Sequence, residues 1–276
     1  MTIITNDPTK RYYYTLLFGD KYRVKIATRN VNIPGIQNFR DLGGYPSYPG
    51  KKQMRWGMIY RSAEIDSLEY CSRRELKNLG IKTLIDLRTP SEIGRQSPLQ
   101  KGFNIVHIPL ATGDMEDILQ GIREEKIKCD TVYRMVERMN RTLIDKYTKE
   151  YRQIFDILLD KTNYPVVIHC SSGKGRTGIV SALVLAVLGV NEDIIMEDYR
   201  LSNDYFNIPR ASKYAYQLPT RSQEAITTLF SAREDFLNAA KDEAERKYGD
   251  MDTYLQKGIG LSKDEIKRLR SILLSD

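Results

Sequence analysis

A single cysteine and an arginine six positions later lie in the segment VVIHCSSGKGRTG, residues 166–178. The segment begins with an apolar run and continues from Cys170 to Arg176 with small, polar and basic residues. We predict a strand that ends at Cys170 and an apolar helix that begins near Arg176. The turn between them then lies at the carboxyl end of a sheet strand, where α/β folds bind ligands.

The residue types in this turn are suited to binding a phosphate group. Backbone N–H groups at a helix N-terminus lack intrahelical partners, and together with the helix dipole they attract anions. Glycine allows the backbone to turn such amides inward, and the planar fork of Arg176 matches two phosphate oxygens. The predicted phosphate-binding residues are Ser171, Ser172, Gly173, Lys174, Gly175 and Arg176.

The same positive field acts on the thiol of Cys170. An ordinary cysteine has a pKa of about 8.5, whereas a helix N-terminus beside cations can lower that pKa to roughly 3.5–7.5. A thiolate in this place can attack phosphorus and form a phosphocysteine, which water then hydrolyses. The spacing alone is a weak signal, because a buried structural cysteine beside a glycine-rich helix start has the same pattern. The Walker loop pattern is not met, since neither Ser nor Thr follows Lys174.

The composition argues against several other classes of protein. The formal net charge of +7 is too small and too dispersed to indicate a nucleic-acid partner. The longest apolar run, near residues 179–190, is too short to cross a bilayer, and the N-terminus lacks the layout of a signal peptide. We therefore expect a cytoplasmic protein without stable membrane insertion, and secretion stays open if a signal peptide has been removed.

Metal and cofactor chemistry are not predicted. The chain has three cysteines and two histidines, which form no cluster at zinc-ligand spacing. No motif indicates a magnesium site. We expect a site with no metal and no cofactor, while the oligomeric state stays open.

Strands alternate with helices along the chain, which indicates an α/β fold with a largely parallel central sheet flanked by helices. IKTLIDL, FNIVHIPL and VVIHC are predicted strands, and RTGIVSALVLAVLG is a predicted helix. Helix N-termini are predicted at Ser72, Thr89 and Ser262, and the chain beyond Asn191 is nearly all helical.

The N-terminal segments RYYYTLLF and KYRVKIAT, joined by a glycine-containing connection, predict a β-hairpin. We therefore divide the chain into a β-rich extension, residues 1–33, and a main domain, residues 34–276.

HCSSGKGRTG resembles the phosphate-binding loop H-C-x-x-G-x-x-R-T-G of cysteine-dependent protein-tyrosine phosphatases. NFRDLGGY (38–45), WGMIYRSAEI, IKTLIDLRTPSEI and DYRLSNDY are similar to segments of the bacterial group of these enzymes. The resemblance covers roughly residues 10–276. It implies the three-layer tyrosine-phosphatase fold with a helical C-terminal part, no cofactor, and hydrolysis of phosphotyrosine through phosphocysteine.

The resemblance also implies roles for individual residues. Cys170 would be the nucleophile and Arg176 the phosphate clamp. Thr177 would stabilise the thiolate as it leaves, and His169 would orient the loop by hydrogen bonding without acting as a base. The segment NFRDLGG receives no catalytic role.

Cleavage of the ester also requires a general acid for the leaving oxygen. Asp86, at the end of a predicted strand, is the first candidate, and Asp114, after the strand FNIVHIPL, is the second. Asp86 could instead pair with Arg88 or support the next helix, and Asp114 could be an ordinary loop residue.

The loop departs from the bacterial group at Gly175, where many members have aspartate. GKGRTG is instead similar to the loop of a tumour-suppressor phosphoinositide 3-phosphatase, so Lys174 could serve a polyanionic substrate or simply add positive charge. Dual-specific or phosphoinositide hydrolysis is therefore the second interpretation. A catalytically inactive module that binds phosphorylated ligands is the third.

Overall fold

The apolar runs of the sequence form the strands of a central sheet. The structure, a computed structural model, describes residues 11–19, 22–49, 51–66, 70–93, 102–113, 115–211 and 215–275. The strands within this part are β1 (Tyr13–Phe18), β2 (Tyr22–Ala27), β3 (Arg40–Asp41), β4 (Pro46–Ser47), β5 (Lys52–Gln53), β6 (Ile59–Ser62), β7 (Thr83–Asp86), β8 (Asn104–His107) and β9 (Val166–His169).

The five-stranded sheet has the order β3–β6–β9–β7–β8. All its neighbouring pairs are parallel except β3 with β6. β9 lies in the middle, and its last residue, His169, is in register with Ser62 of β6 and with Asp86 of β7. The residues that follow these three strands therefore meet at one edge of the sheet.

Helices make up most of the remaining structure. They are α1 (Tyr70–Asn78), α2 (Pro90–Ile93), α3 (Met115–Arg123), α4 (Cys129–Lys146), α5 (Thr148–Leu159), α6 (Gly175–Val187), α7 (Glu192–Arg200), α8 (Ser202–Tyr205), α9 (Ile208–Ala211), α10 (Thr220–Phe230), α11 (Glu234–Tyr248), α12 (Met251–Thr253) and α13 (Lys263–Leu273). Among the described residues, no helix is both long and apolar enough to cross a membrane.

Both faces of the sheet are buried. Successive side chains of a strand point to opposite faces, so Val166 and Ile168 of β9 belong to the large core with α4, α5, α6 and α13. Val167, between them, packs in a second core with Leu76 of α1. The predicted α/β fold, with a largely parallel sheet flanked by helices and a helical C-terminal part, is confirmed.

Several local predictions can be compared with the structure. The N-terminal hairpin is confirmed, since β1 pairs antiparallel with β2. The helix start at Ser262 is confirmed by a complete capping box with Glu265. The helix start at Ser72 is wrong, because Ser72 lies inside α1 and its hydroxyl donates to the backbone oxygen of Pro34 at 2.6 Å. The division at residue 33 stays a prediction.

Candidate active site

The predicted strand, turn and helix around Cys170 are present. β9 ends at His169, and α6 begins at Gly175. Gly173 has a φ of +67°, and a Cβ there would lie 2.4 Å from the backbone of Ser62. Only glycine combines this conformation with such a close approach, so the loop is seated directly on the end of β6.

The thiol of Cys170 lies at the bottom of this turn and is 1% exposed. Burial by itself raises the pKa of the thiol. The charge of Arg176 and the backbone N–H groups of Thr177 and Gly173 outweigh burial and lower the pKa below its ordinary value. The loop therefore favours the thiolate, the form that is nucleophilic.

Arg176 enters the same turn from the first residues of α6. Its Nη1 and Nη2 donate to the two carboxylate oxygens of Glu92 at 2.7 and 2.6 Å. Further bonds reach Ser171 Oγ at 3.1 Å and the backbone oxygens of Leu87 and Leu110 at 3.3 Å. No group in the described part of the chain accepts from Nε, which leaves that N–H for a ligand.

Glu92 is a site residue that the sequence analysis treated only as part of a helix start. It does cap α2, because its carboxylate accepts from the N–H of Thr89 at 2.9 Å. Burial raises the pKa of Glu92, but the bonds and charge of Arg176 outweigh burial and lower it to about 2. The predicted helix start at Thr89 was the available signal, whereas the contact with Arg176 depends on the packing of α2 against the loop.

Lys174 has a different environment from the other loop residues. Its ammonium donates to the backbone oxygens of Leu229 and Ser231, at the C-terminal end of α10. Burial lowers the pKa of Lys174 to about 7. Two carbonyl oxygens of the protein therefore already accept hydrogen bonds from Lys174, the residue that could serve a polyanionic substrate.

Asp86 is buried at the end of β7, next to the loop, and is paired with Arg88. Arg88 Nε lies 3.0 Å from Asp86 Oδ1, and Arg88 Nη2 lies 2.9 Å from Oδ2. Burial raises the pKa of Asp86, but the hydrogen bonds of Arg88 outweigh it and the pKa is lowered. The pairing that the sequence left as an alternative is present, and it keeps the carboxylate ionised.

His169 and Thr177 both lie in the predicted loop region. Burial lowers the pKa of His169 to about 4, so its imidazole is neutral at pH 7. His169 Nδ1 lies 3.8 Å from Asp86 Oδ1, beyond hydrogen-bond distance, and has no partner among the described residues. The orienting role of His169 therefore stays a prediction. Asp114, the second candidate acid, lies outside the described residues.

The cavity beside the loop is small, at about 70 Å³. Cys170, Lys174 and Arg176 line its polar end. Its other walls are mostly apolar, and they include Met115, Met139, Leu143, Leu229 and Phe230.

Residues 31–275 match the family model described as the tyrosine phosphatase family. The match includes the loop and each element that contacts it. The chain belongs to this family. The predicted enzyme class, a tyrosine phosphatase, is therefore confirmed.

Relatives of this phosphatase are found in several bacteria. It is 26% identical to the triple specificity protein phosphatase PtpB of Mycobacterium tuberculosis, over 88% of this chain and 98% of that protein. It is 27% identical to a putative tyrosine-protein phosphatase of Cupriavidus necator, over 84% of this chain and 85% of that protein. The crystal structure of TpbA from P. aeruginosa shares 16% identity with a TM-score of 0.30, covering 67% of this chain and 96% of that chain.

The Glu92 contact predicts a loss of activity when its charge is removed. Glu92→Gln keeps the size of the side chain but weakens the charge-assisted bonds that hold Arg176. We expect kcat/KM for p-nitrophenyl phosphate to fall about tenfold, which corresponds to about 1.4 kcal/mol. Glu234→Gln is the matched control, because Glu234 pairs with Arg200 at the surface, at 2.7 Å. Equal activity of both variants would contradict a role for Glu92.

Proposed function

We propose that this phosphatase hydrolyses phosphotyrosine through a phosphocysteine formed on Cys170. The observation that carries the proposal is the buried thiol, whose pKa is lowered by the N–H groups of its own loop and by Arg176. These groups attract the phosphate dianion as well as the thiolate. One turn therefore supplies both the nucleophile and the binding site for the group it attacks.

The reaction consists of two displacements at phosphorus. The thiolate of Cys170 forms an S–P bond while the bond between phosphorus and the phenolic oxygen breaks, and that oxygen takes up a proton. A water molecule then attacks phosphorus, the S–P bond breaks, and inorganic phosphate leaves with the thiolate restored. The hydroxyl of Thr177, which is buried and has no hydrogen-bond partner among the described residues, would stabilise the thiolate at this point. Arg176 holds the phosphate through both steps with Nε, and with Nη2 when a phosphate oxygen replaces Ser171 Oγ as its acceptor.

Asp86 is our candidate for the proton donor. It lies at the strand end next to the loop, and its charge interacts with that of Arg176. In the structure Asp86 is ionised and forms an ion pair with Arg88. Acid catalysis by this residue therefore requires the carboxyl to gain a proton and give up part of that pairing when the phosphate dianion arrives. A negative charge next to a carboxylate raises its pKa, which favours the protonated form.

Substitution of Cys170 tests the nucleophile. We expect Cys170→Ser to reduce hydrolysis of p-nitrophenyl phosphate by at least about 10³-fold, because a serine hydroxyl is not ionised at neutral pH. Cys71→Ser is the matched control and keeps wild-type activity, and a chelator leaves the wild-type rate unchanged. A wild type that binds phosphotyrosine without hydrolysing it would instead support the inactive binding module.

The role of Asp86 is tested with leaving groups of different basicity. An acid matters most when the leaving oxygen is basic, so we expect Asp86→Asn to reduce kcat about 100-fold for phenyl phosphate and much less for p-nitrophenyl phosphate. The quantity compared between the variant and the wild type is the ratio of kcat for phenyl phosphate to kcat for p-nitrophenyl phosphate. An equal loss on both substrates would show that Asp86 acts only through its pairing with Arg88.

Phosphoinositide hydrolysis is the second candidate function. The name of one relative favours it: an inositol diphosphatase of Arabidopsis thaliana is 32% identical over 65 residues. The ammonium of Lys174 counts against it, because Lys174 is buried against the end of α10. A lipid headgroup with several phosphates needs free cations, whereas two of the three N–H donors of Lys174 already bind carbonyl oxygens of the protein.

We therefore expect phosphotyrosine to be the better substrate. The measurement compares kcat/KM for a phosphotyrosine peptide with that for a soluble short-chain phosphoinositide, and the expected preference is tenfold or more, about 1.4 kcal/mol. Lys174→Met should change both values by a similar factor, because the contact it removes lies within the protein. A selective loss of phosphoinositide hydrolysis in this variant would reverse the assignment.

A further inference from the structure

The segment NFRDLGGY has no assigned role in the reaction, yet it lies directly behind the phosphate-binding loop. The side-chain amide of Asn38 donates to the backbone oxygens of Ser172 and Gly173, both at 3.1 Å. Arg61, at the end of β6, donates from Nη2 to the same oxygen of Gly173 at 2.8 Å. Two side chains distant in sequence thus bind consecutive carbonyl groups of one turn.

The carbonyl of Ser171 is bound in a similar way, by the backbone N–H of Glu64 at 3.2 Å. The carbonyl oxygens of Ser171, Ser172 and Gly173 therefore all bind groups behind the loop. A trans peptide unit is planar, and its C=O and N–H point in opposite directions. Holding the three oxygens outward consequently turns the following N–H groups, those of Ser172, Gly173 and Lys174, toward the phosphate site.

We propose that Asn38 and Arg61 are positioning residues that hold the carbonyl groups of the loop outward and so aim its N–H groups at the substrate phosphate. This inference rests on the proposed function of the loop. The substrate meets only the N–H groups, while Asn38 and Arg61 act from behind the loop.

The conformation of Asn38 supports a dedicated role. Its φ is +57°, a left-handed value that most residues adopt only with strain, and the residue is 2% exposed. Its backbone N–H donates to the oxygen of Tyr205 at 2.9 Å, and its side-chain oxygen accepts from Arg40. Backbone and side chain are thus both fixed, with the two amide hydrogens aimed at the loop.

Arg61 is fixed by a buried carboxylate. Asp198 of α7 accepts from Arg61 Nη1 at 2.6 Å and from Arg40 Nε at 3.3 Å. Burial raises the pKa of Asp198, but the two arginines outweigh it and lower the pKa to about 2. Removing one partner of a buried ion pair leaves the other charge buried and uncompensated. Asp198 therefore keeps the guanidinium of Arg61 in place behind Gly173.

The test uses two substitutions that leave the surrounding network as intact as possible. Asn38→Gly retains the left-handed backbone but loses the amide, and Arg61→Lys retains the positive charge beside Asp198 but loses the fork. Tyr45→Phe is the matched control, because the Tyr45 hydroxyl donates to Asp198 at 3.0 Å within the same network and makes no contact with the loop. Melting temperatures establish that each variant is folded.

The readouts are the pH midpoint of Cys170 alkylation by iodoacetamide and the inhibition constant of inorganic phosphate. Misaimed N–H groups stabilise the thiolate and the phosphate less well, so we expect Asn38→Gly and Arg61→Lys to raise the alkylation midpoint and weaken phosphate binding about 10- to 100-fold. Tyr45→Phe should keep both values. Values equal to those of Tyr45→Phe would overturn the proposal, as would the same shift in all three variants.

The alkylation midpoint does not depend on turnover. A wild type without activity on aryl phosphates would refute the proposed function, yet the alkylation midpoints would still decide the role of Asn38 and Arg61. If Asn38→Gly is too unstable to measure, Arg61→Lys decides it alone, because its charge keeps Asp198 paired.

Discussion

The structure depends on stabilising negative charge on the thiol of Cys170 at a buried position. Burial favours the neutral thiol, and the loop opposes burial with N–H groups and the charge of Arg176, all within one turn of Cys170. Such groups stabilise a negative charge only if they are held in position before the charge is present, because a free chain would turn its carbonyl oxygens inward as readily as its N–H groups. The glycine conformation at residue 173 and the seating of the loop on β6 meet this requirement.

The cations around the loop are themselves buried, and each has a carboxylate or carbonyl partner. Arg176 pairs with Glu92, Arg88 with Asp86, and Arg40 and Arg61 share Asp198. An isolated buried charge costs several kcal/mol, so these partners are as necessary as the cations. The pairs also limit which groups are available for chemistry. Asp86 can act as an acid only when part of its pairing with Arg88 is lost, and Lys174 binds two carbonyl oxygens, whereas Nε of Arg176 has no acceptor in the described part of the chain.

The sheet explains why segments distant in sequence converge on the loop. β6, β9 and β7 are neighbouring parallel strands whose last residues are in register. Arg61, Cys170 and Asp86 therefore lie at one edge, although more than 80 residues separate Asp86 from Cys170. The segments that carry the family resemblance, including 38–45 and 198–205, meet behind this edge through the bonds of Arg40 with Asn38 and Asp198.

The sequence by itself determined the α/β class, the strand–turn–helix around Cys170 and the enzyme family, because each rests on local patterns of residue type and spacing. The sequence-based predictions failed where the same local pattern serves a second purpose in the folded protein. Ser72 was the predicted start of a helix, yet it lies inside α1. The predicted helix start at Thr89 gave no sign that Glu92 also binds Arg176. The pairing of Asp86, the burial of Lys174 under α10, and the position of Asn38 behind the loop were decided only by the tertiary structure. Each depends on which distant backbone group or charge packs against the residue, and spacing along the chain does not contain that information.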